Sequence, residues 1–313
     1  MIDKTIKDKV VNFSFVFPAF VIFSVFYLYP FFYSFILSFQ QTDGIYYSKF
    51  VGLQNFKEVF ASGLDWQNFK WWSITWWKAS SWWNSMYNGV FITFWALTFQ
   101  NILAFALALG VDKAIKTGKI YRVIFFILPV LSEIIIGLLM RELLLTNPGI
   151  LNQWLEKVGL GFISHNWLGR ESVLLTTALV HSWKGFGWAF IILLAGLQTI
   201  PEELYEAARI DGANYMQRFH RITLPLLMPV VSLVIVLTLL GTMQAFAMIL
   251  ALTRGAAGLT EVPVMRIYNH LRLSQVGLAC AEGIVLGAVL IAVSFTMFNL
   301  SKWIRSRWGV LPR

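Results

Sequence analysis

Apolar residues in this chain gather into long blocks rather than recurring at every second or third position. Six blocks stand out, at about 12–39, 87–111, 123–145, 172–198, 224–251 and 275–301. A helix needs roughly 20 apolar residues to cross ~30 Å of hydrocarbon, and each block meets that length. The pattern predicts an all-α membrane protein of six transmembrane helices, built as one domain over 1–313. The first block is longer than a signal-peptide core and has no small-residue cleavage site behind it, so it reads as a retained span. Pro18 and Pro30 lie inside it and predict kinks there, since protein neighbours re-satisfy the carbonyls that proline frees.

The polar segments between the blocks orient the chain. Six spans put both termini on one side. That side carries 1–11, 113–122, 199–221 and the tail from 302, with 14 Lys and Arg in 56 residues. The opposite side carries 40–86, 141–171 and 252–274, with 10 in 101 residues. Positive charge is retained in the cytoplasm, so both termini and the 199–221 loop are predicted to be cytoplasmic. Composition agrees with the spans: 58% apolar, 13% charged, mean hydropathy +0.66, against about 25% charged in soluble domains. The net charge of +9 then reads as topology rather than as affinity for nucleic acid. The single cysteine, Cys280, excludes an internal disulfide and any cysteine-built metal site.

One polar island has a structure of its own. Pro201 suits the start of a helix, and Glu202 and Glu203 meet the positive end of its dipole. Asp211-Gly212 stops that helix, because glycine enters the left-handed region without a Cβ penalty. Asn214, with Gln217 three residues on, has the spacing of a capping box for a second helix. Pro225 and Pro229 follow where the next span begins. Two short helices at an angle, hinged on a glycine elbow, suit docking into a groove on a soluble partner; an ordinary structured loop is the other reading.

Several residues could carry chemistry inside the membrane. Glu133, Arg141 and Glu142 sit in or beside the third span, where charge is costly without a partner; a basic partner for Glu133 is expected. In span four, His181, Lys184 and Trp188 share a helical face. They suit a sugar stacked on a ring beside hydrogen-bond donors, or an interfacial aromatic with a snorkelling lysine. In span five, Thr238 and Thr242 line one face, with Gln244 and Phe246 beyond. Helix–helix hydrogen bonding is the alternative role for these. Between spans one and two a tryptophan-dense stretch (Trp66, Trp71, Trp72, Trp76, Trp77, Trp82, Trp83) reads as an aromatic belt, or as a docking or stacking surface. There is no phosphate-binding Gly-x-x-x-x-Gly-Lys-Ser/Thr loop, no His-Glu-x-x-His zinc site and no Gly-x-Ser-x-Gly elbow.

The island also resembles a known motif. Glu206-Ala207-Ala208, Asp211-Gly212-Ala213, Phe219, Ile222 and Leu224-Pro225 resemble the EAA loop of ATP-binding-cassette importer permeases. Phe50 to Phe56, Gly149 to Asn152 and Trp167-Leu168 resemble further segments of the sugar-importing branch, the maltose and multiple-sugar class. The resemblance implies a type I importer permease in the plasma membrane of a prokaryote, not itself an enzyme. It implies a second, homologous permease subunit as a heterodimer and two cytoplasmic ATPase subunits, which hold the ATP and magnesium, this chain having no cofactor. It also implies an extracellular solute-binding protein that delivers a sugar or oligosaccharide. By the same resemblance the ATPase-coupling positions are Leu204, Glu206, Ala207, Ala208, Asp211, Gly212, Ala213 and Phe219. The substrate path would run past His181, Lys184, Gly185, Trp188, Thr238, Thr242 and Gln244. Thr253-Arg254-Gly255-Ala256-Ala257 departs from the family's Thr-x-Gly-Gly-Pro. A glycerol-phosphate or polyol importer is the rival within the class. An ion-driven carrier would need a carboxylate relay, and spans four to six offer only Glu282.

Overall fold

The computed structural model describes residues 2–61, 81–112, 118–145 and 149–307. Of the tryptophan-rich stretch, Trp66 to Trp77 lie outside the described residues; Trp82 is fully buried and Trp83 half-buried. Among the described residues, five helices are long and apolar enough to cross a membrane: Phe13–Leu37, Trp82–Asp112, Val173–Leu197, Tyr215–Met243 and Val276–Lys302. A sixth span is a broken pair, Ile120–Val130 and Glu133–Leu144, bent by 96°. The chain is therefore a multi-pass membrane protein.

Two expected boundaries change. The hydropathy pattern predicts the third span as one helix over 123–145. Pro129 ends its first half, because proline removes a ladder hydrogen bond and clashes with the preceding turn. Ser132 takes an extended conformation, ψ 134°, and Glu133 opens the second half, where the helix dipole favours its charge. The fifth span, expected over 224–251, stops at Met243. Gln244 and Phe246 leave the helical region, and a separate short helix, Ala247–Thr253, follows. The two short helices left by these breaks pack on each other so closely that a Cβ at Gly137 would lie 2.6 Å from the Met248 carbonyl oxygen.

The chain divides into two compact units. In the first, 1–62 with 267–285, none of residues 13–37 is buried. Span one ends in a hairpin of β1 (Gln40–Thr42) and β2 (Ser48–Phe50), with Gln40 opposite Phe50. One oxygen of Asp43 accepts from the N–H groups of Ile45, Tyr46 and Tyr47 across the tip. Asn55 donates to the Ser38 and Gln40 carbonyls at 2.8 and 2.9 Å. Gly277 must be glycine, since a Cβ would lie 1.8 Å from the Gln40 oxygen. His270 Nε2 lies 3.4 Å from the fully buried Glu282.

In the second unit, 63–266 with 286–313, span four is the central element. Its residues Phe190, Leu193 and Leu197 bury against Ala104 and Ala108 of span two and Leu227 and Val234 of span five. A second cluster joins Ile92, Ile136, Ala178, Met248, Ile249 and Leu252. Lipid tails give no hydrophobic drive between helices, so close approach through small residues supplies dispersion instead. A Cβ at Gly187 would lie 2.4 Å from the Phe125 carbonyl, and one at Gly196 would lie 2.9 Å from Leu227 and Val230.

Candidate functional site

The 199–223 segment folds as a knuckle between spans four and five. Pro201 stands one residue ahead of the first helix, Glu202–Ile210, and acts as its N-cap. The end of that helix is a Schellman motif. Gly212 takes φ +75°, its N–H donates to Arg209, and the Ala213 N–H reaches back to Ala208 at 2.9 Å. The capping box is complete: Asn214 Oδ1 accepts from the Gln217 N–H, and Gln217 Oε1 accepts from the Asn214 N–H. The second helix is not a separate element. Tyr215–Arg218 passes through a π-helical turn, Phe219–Thr223, straight into span five. A π turn accommodates one extra residue per turn, and so Pro225 follows it in the first turn of the next helix without interrupting the path.

The knuckle has two faces. Towards the chain, Tyr205 shares a 2.9 Å hydrogen bond with Thr223, and the half-buried Phe219 ring lies 6.1 Å from Phe105 of span two. Away from the chain, Leu204, Ala207 and Ile210 follow one another at three-residue spacing and are all exposed, Ile210 to 87%. Glu206, Asp211 and Gly212 are exposed beside them, while Ala208 and Ala213 are half-buried. Glu206 has only a 3.9 Å contact to exposed Arg209. An exposed pair this loose contributes little, which leaves the carboxylate available to another partner. Met216, 59% exposed, adds to this face. Only its position, three residues after Ala213, could have marked it.

The intramembrane residues divide by role. Lys184 Nζ meets Glu133 Oε1 at 2.8 Å, across from the break in span three. This supplies the basic partner expected for Glu133. Gly185 is in tight contact with Gln100, whose side chain would collide with any Cβ there. Thr238 donates to Asn101 Oδ1 at 3.1 Å. Thr242 is buried, Trp188 and His181 are half-buried, and Gln244 is exposed where span five ends. Among the described residues no hydrogen bond or ion pair joins the span-four set to the span-five set. Gln100 and Asn101 escaped the sequence reading. They lie at a π-helical segment of span two, Ala96–Gln100. Such segments often mark functional positions, but they leave no trace in hydropathy.

Comparison with known proteins matches residues 8–309 to the family model described as binding-protein-dependent transport system inner membrane component. The arabinooligosaccharides transport system permease protein AraP of Bacillus subtilis is 32% identical over 302 residues, 94% of this chain and 90% of that protein. The trehalose/maltose transport system permease protein MalF of Thermococcus litoralis is 30% identical, over 80% of this chain and 79% of its own length. The multiple sugar-binding transport system permease protein MsmF of Streptococcus mutans is 27% identical over 96% and 98%. In structure, the chain is similar to one in a bacterial ABC transporter involved in the import of the acidic polysaccharide alginate. The TM-score is 0.79 at 22% sequence identity, over 97% of this chain and 99% of the other.

Proposed function

Because the chain belongs to the family of binding-protein-dependent transport system inner membrane components, we propose that it is one membrane-spanning half of an ATP-driven sugar or oligosaccharide importer. Its whole length serves as a single permease domain, with both termini and the knuckle in the cytoplasm. A second, homologous permease completes the pore, two ATPase subunits hold ATP and magnesium below it, and an extracellular binding protein delivers the sugar from above. The relatives named for arabinooligosaccharides, trehalose and maltose, and multiple sugars support the sugar assignment.

One observation carries the coupling role. The exposed stripe of Leu204, Ala207 and Ile210 stands behind a backbone elbow that is fixed by two hydrogen-bonded motifs. A rigid amphipathic helix presented this way fits a groove on a partner. Glu206 supplies an ion pair to the ATPase, Asp211 and Gly212 set the bend, and Ala208, Ala213 and Phe219 hold the helix pair to the spans. Closure of the ATPase moves the groove, and the knuckle transmits that motion to spans four and five. In the transport path, His181, Trp188, Thr242 and Gln244 meet the sugar, with Lys184, Gly185 and Thr238 shaping the wall.

A phosphoester cargo fits less well, because the Lys184 charge is already balanced by Glu133. A proton-driven carrier also fits poorly, since Glu282 is held beside His270 rather than in a relay. The test is Glu206→Lys in the assembled transporter in proteoliposomes. ATP hydrolysis is expected to continue while sugar uptake falls at least tenfold. Uptake equal to wild type at equal hydrolysis would remove the knuckle from the coupling pathway.

A further inference from the structure

Residues 254–258 form a turn that the sequence pattern did not foretell. Arg254, Gly255, Ala256, Ala257 and Gly258 all have positive φ, at 51°, 83°, 42°, 54° and 94°. Three of the five carry a Cβ, and such residues avoid the left-handed region. Backbone in so unfavourable a state persists only where its surroundings over-determine it, and it gathers at ligand clamps and active sites. The surroundings here do so. Asn84 donates to the Gly258 carbonyl at 2.6 Å, and Asn88 donates to the Gly258 and Glu261 carbonyls, both at 3.0 Å. The Thr253 and Thr260 hydroxyls close the base of the turn at 2.6 Å.

The turn places Arg254 on the wall of a cavity of about 160 Å³. Arg141, at the end of the helix Glu133–Leu144, lines the same cavity, with Leu168, Val173 and Leu252 as apolar walls. Among the described residues neither guanidinium has an ion-pair or hydrogen-bond partner. Arg141 is half-buried and Arg254 is exposed. Two like charges beside one cavity raise each other's energy unless an anion joins them.

We propose that this cavity receives a carboxylate side chain of the extracellular solute-binding protein. The proposal rests on the reading of the chain as an importer permease. In that orientation spans three and five both run outward, and the helices that follow their breaks, Glu133–Leu144 and Ala247–Thr253, carry Arg141 and Arg254 on the extracellular side. The planar guanidinium fork matches a carboxylate in two parallel hydrogen bonds. Pockets for whole small ligands occupy about 300–1,000 Å³, so a cavity of 160 Å³ suits one inserted side chain rather than a sugar chain. Leu168, Val173 and Leu252 give the cavity one apolar side against which the stem of such a side chain packs.

The test uses the complete transporter in nanodiscs with its binding protein loaded with sugar. The variants are Arg141→Gln and Arg254→Asn, since asparagine tolerates the left-handed region and preserves the turn. Each is expected to weaken binding-protein affinity about tenfold and the pair about a hundredfold, consistent with loss of desolvated charge partners. Basal ATPase activity without binding protein stays unchanged, and Arg141→Lys recovers part of the loss. Affinity for the wild-type transporter falls with added salt, and the double variant flattens that dependence. Unchanged affinity in both variants overturns the proposal. So does unchanged affinity with a selective loss of uptake of a uronate-containing over a neutral oligosaccharide, which would assign the carboxylate to the cargo. If the binding protein fails to stimulate the wild-type transporter, the importer reading falls and this proposal with it; the variant-specific outcomes leave that reading intact.

Discussion

Gly212 offers a test in which sterics and backbone conformation separate. Its φ is +75°, and a Cβ added there meets nothing within 4 Å inside the chain. Any side-chain effect in the isolated permease is therefore conformational. The left-handed region costs an alanine about 1–2 kcal/mol. Opposing it are the two Schellman hydrogen bonds, from Gly212 to Arg209 and from Ala213 to Ala208, each contributing about 0.5–1.5 kcal/mol net. The terms nearly balance, so Gly212→Ala should leave the elbow partly opened. Asparagine enters the same region readily and should keep it closed. A β-branched valine should open it. The assay is sugar molecules imported per ATP hydrolysed by the assembled transporter. Asparagine is expected near wild type, alanine reduced several-fold and valine nearly uncoupled. Equal coupling across the series would refute the elbow. Loss with asparagine as severe as with valine would show instead that a partner surface leaves no room for any side chain.

Three further outcomes are expected. Gly187→Ala pushes a Cβ to within 2.4 Å of the Phe125 carbonyl and 2.7 Å of Pro129; overpacking of this kind costs about 1–3 kcal/mol, readable as a lowered Tm of the purified protein. Trp188→Ala combined with Thr242→Ala should raise the half-saturation of uptake with little change in basal ATP hydrolysis; unchanged kinetics would remove both from the sugar's route. The N–H of Tyr47 foremost, then that of Ile45, holds the Asp43 carboxyl below its ordinary pKa of 3.8. A depressed carboxyl stabilises the hairpin above its unfolded pKa and loses that contribution as pH falls below 3.8 through the lower folded value. The protection factors of the amides at residues 45–47, with the intrinsic pH dependence of exchange divided out, should fall over that acidic range and stay constant near neutrality; Asp43→Asn should remove most of that change.

The chain's sequence reveals features that are local or that have a fixed period. Six apolar blocks exceed a bilayer's thickness, and the structure has a straight or broken span at each. The elbow was equally legible, because Gly212, Asn214 and Gln217 act through neighbours three or four residues away. Breaks were not. Pro18, Pro129 and Pro229 all lie inside helical segments, yet only Pro129 stands beside a 96° bend. What distinguishes it is tertiary: Glu133 gains Lys184 across the gap, and Gly137 admits the 247–253 helix. The substrate-path set followed from the family resemblance, with shared faces only for His181, Lys184 and Trp188 and for Thr238 and Thr242; the neighbours of Gly185 and Thr238, Gln100 and Asn101, come from a span far off in sequence. No periodicity links residues 137 positions apart.

These contacts determine how motion can pass through the second unit. On its inner side the knuckle is joined to the spans by the Tyr205–Thr223 hydrogen bond and the Phe219–Phe105 ring contact. Its second helix is continuous with span five through the π turn. A displacement applied at Leu204 and Ile210 is thus delivered to span five directly, without a flexible linker to absorb it. Span four meets its neighbours differently. At Gly187 it lies close against span three, and at Gly196 close against span five, with no side chain of its own at either contact. The Lys184–Glu133 pair is directional by contrast and ties span four to the broken span. On the proposed coupling, span five tilts against span four at the Gly196 contact, while the Lys184–Glu133 pair holds span four to the broken span.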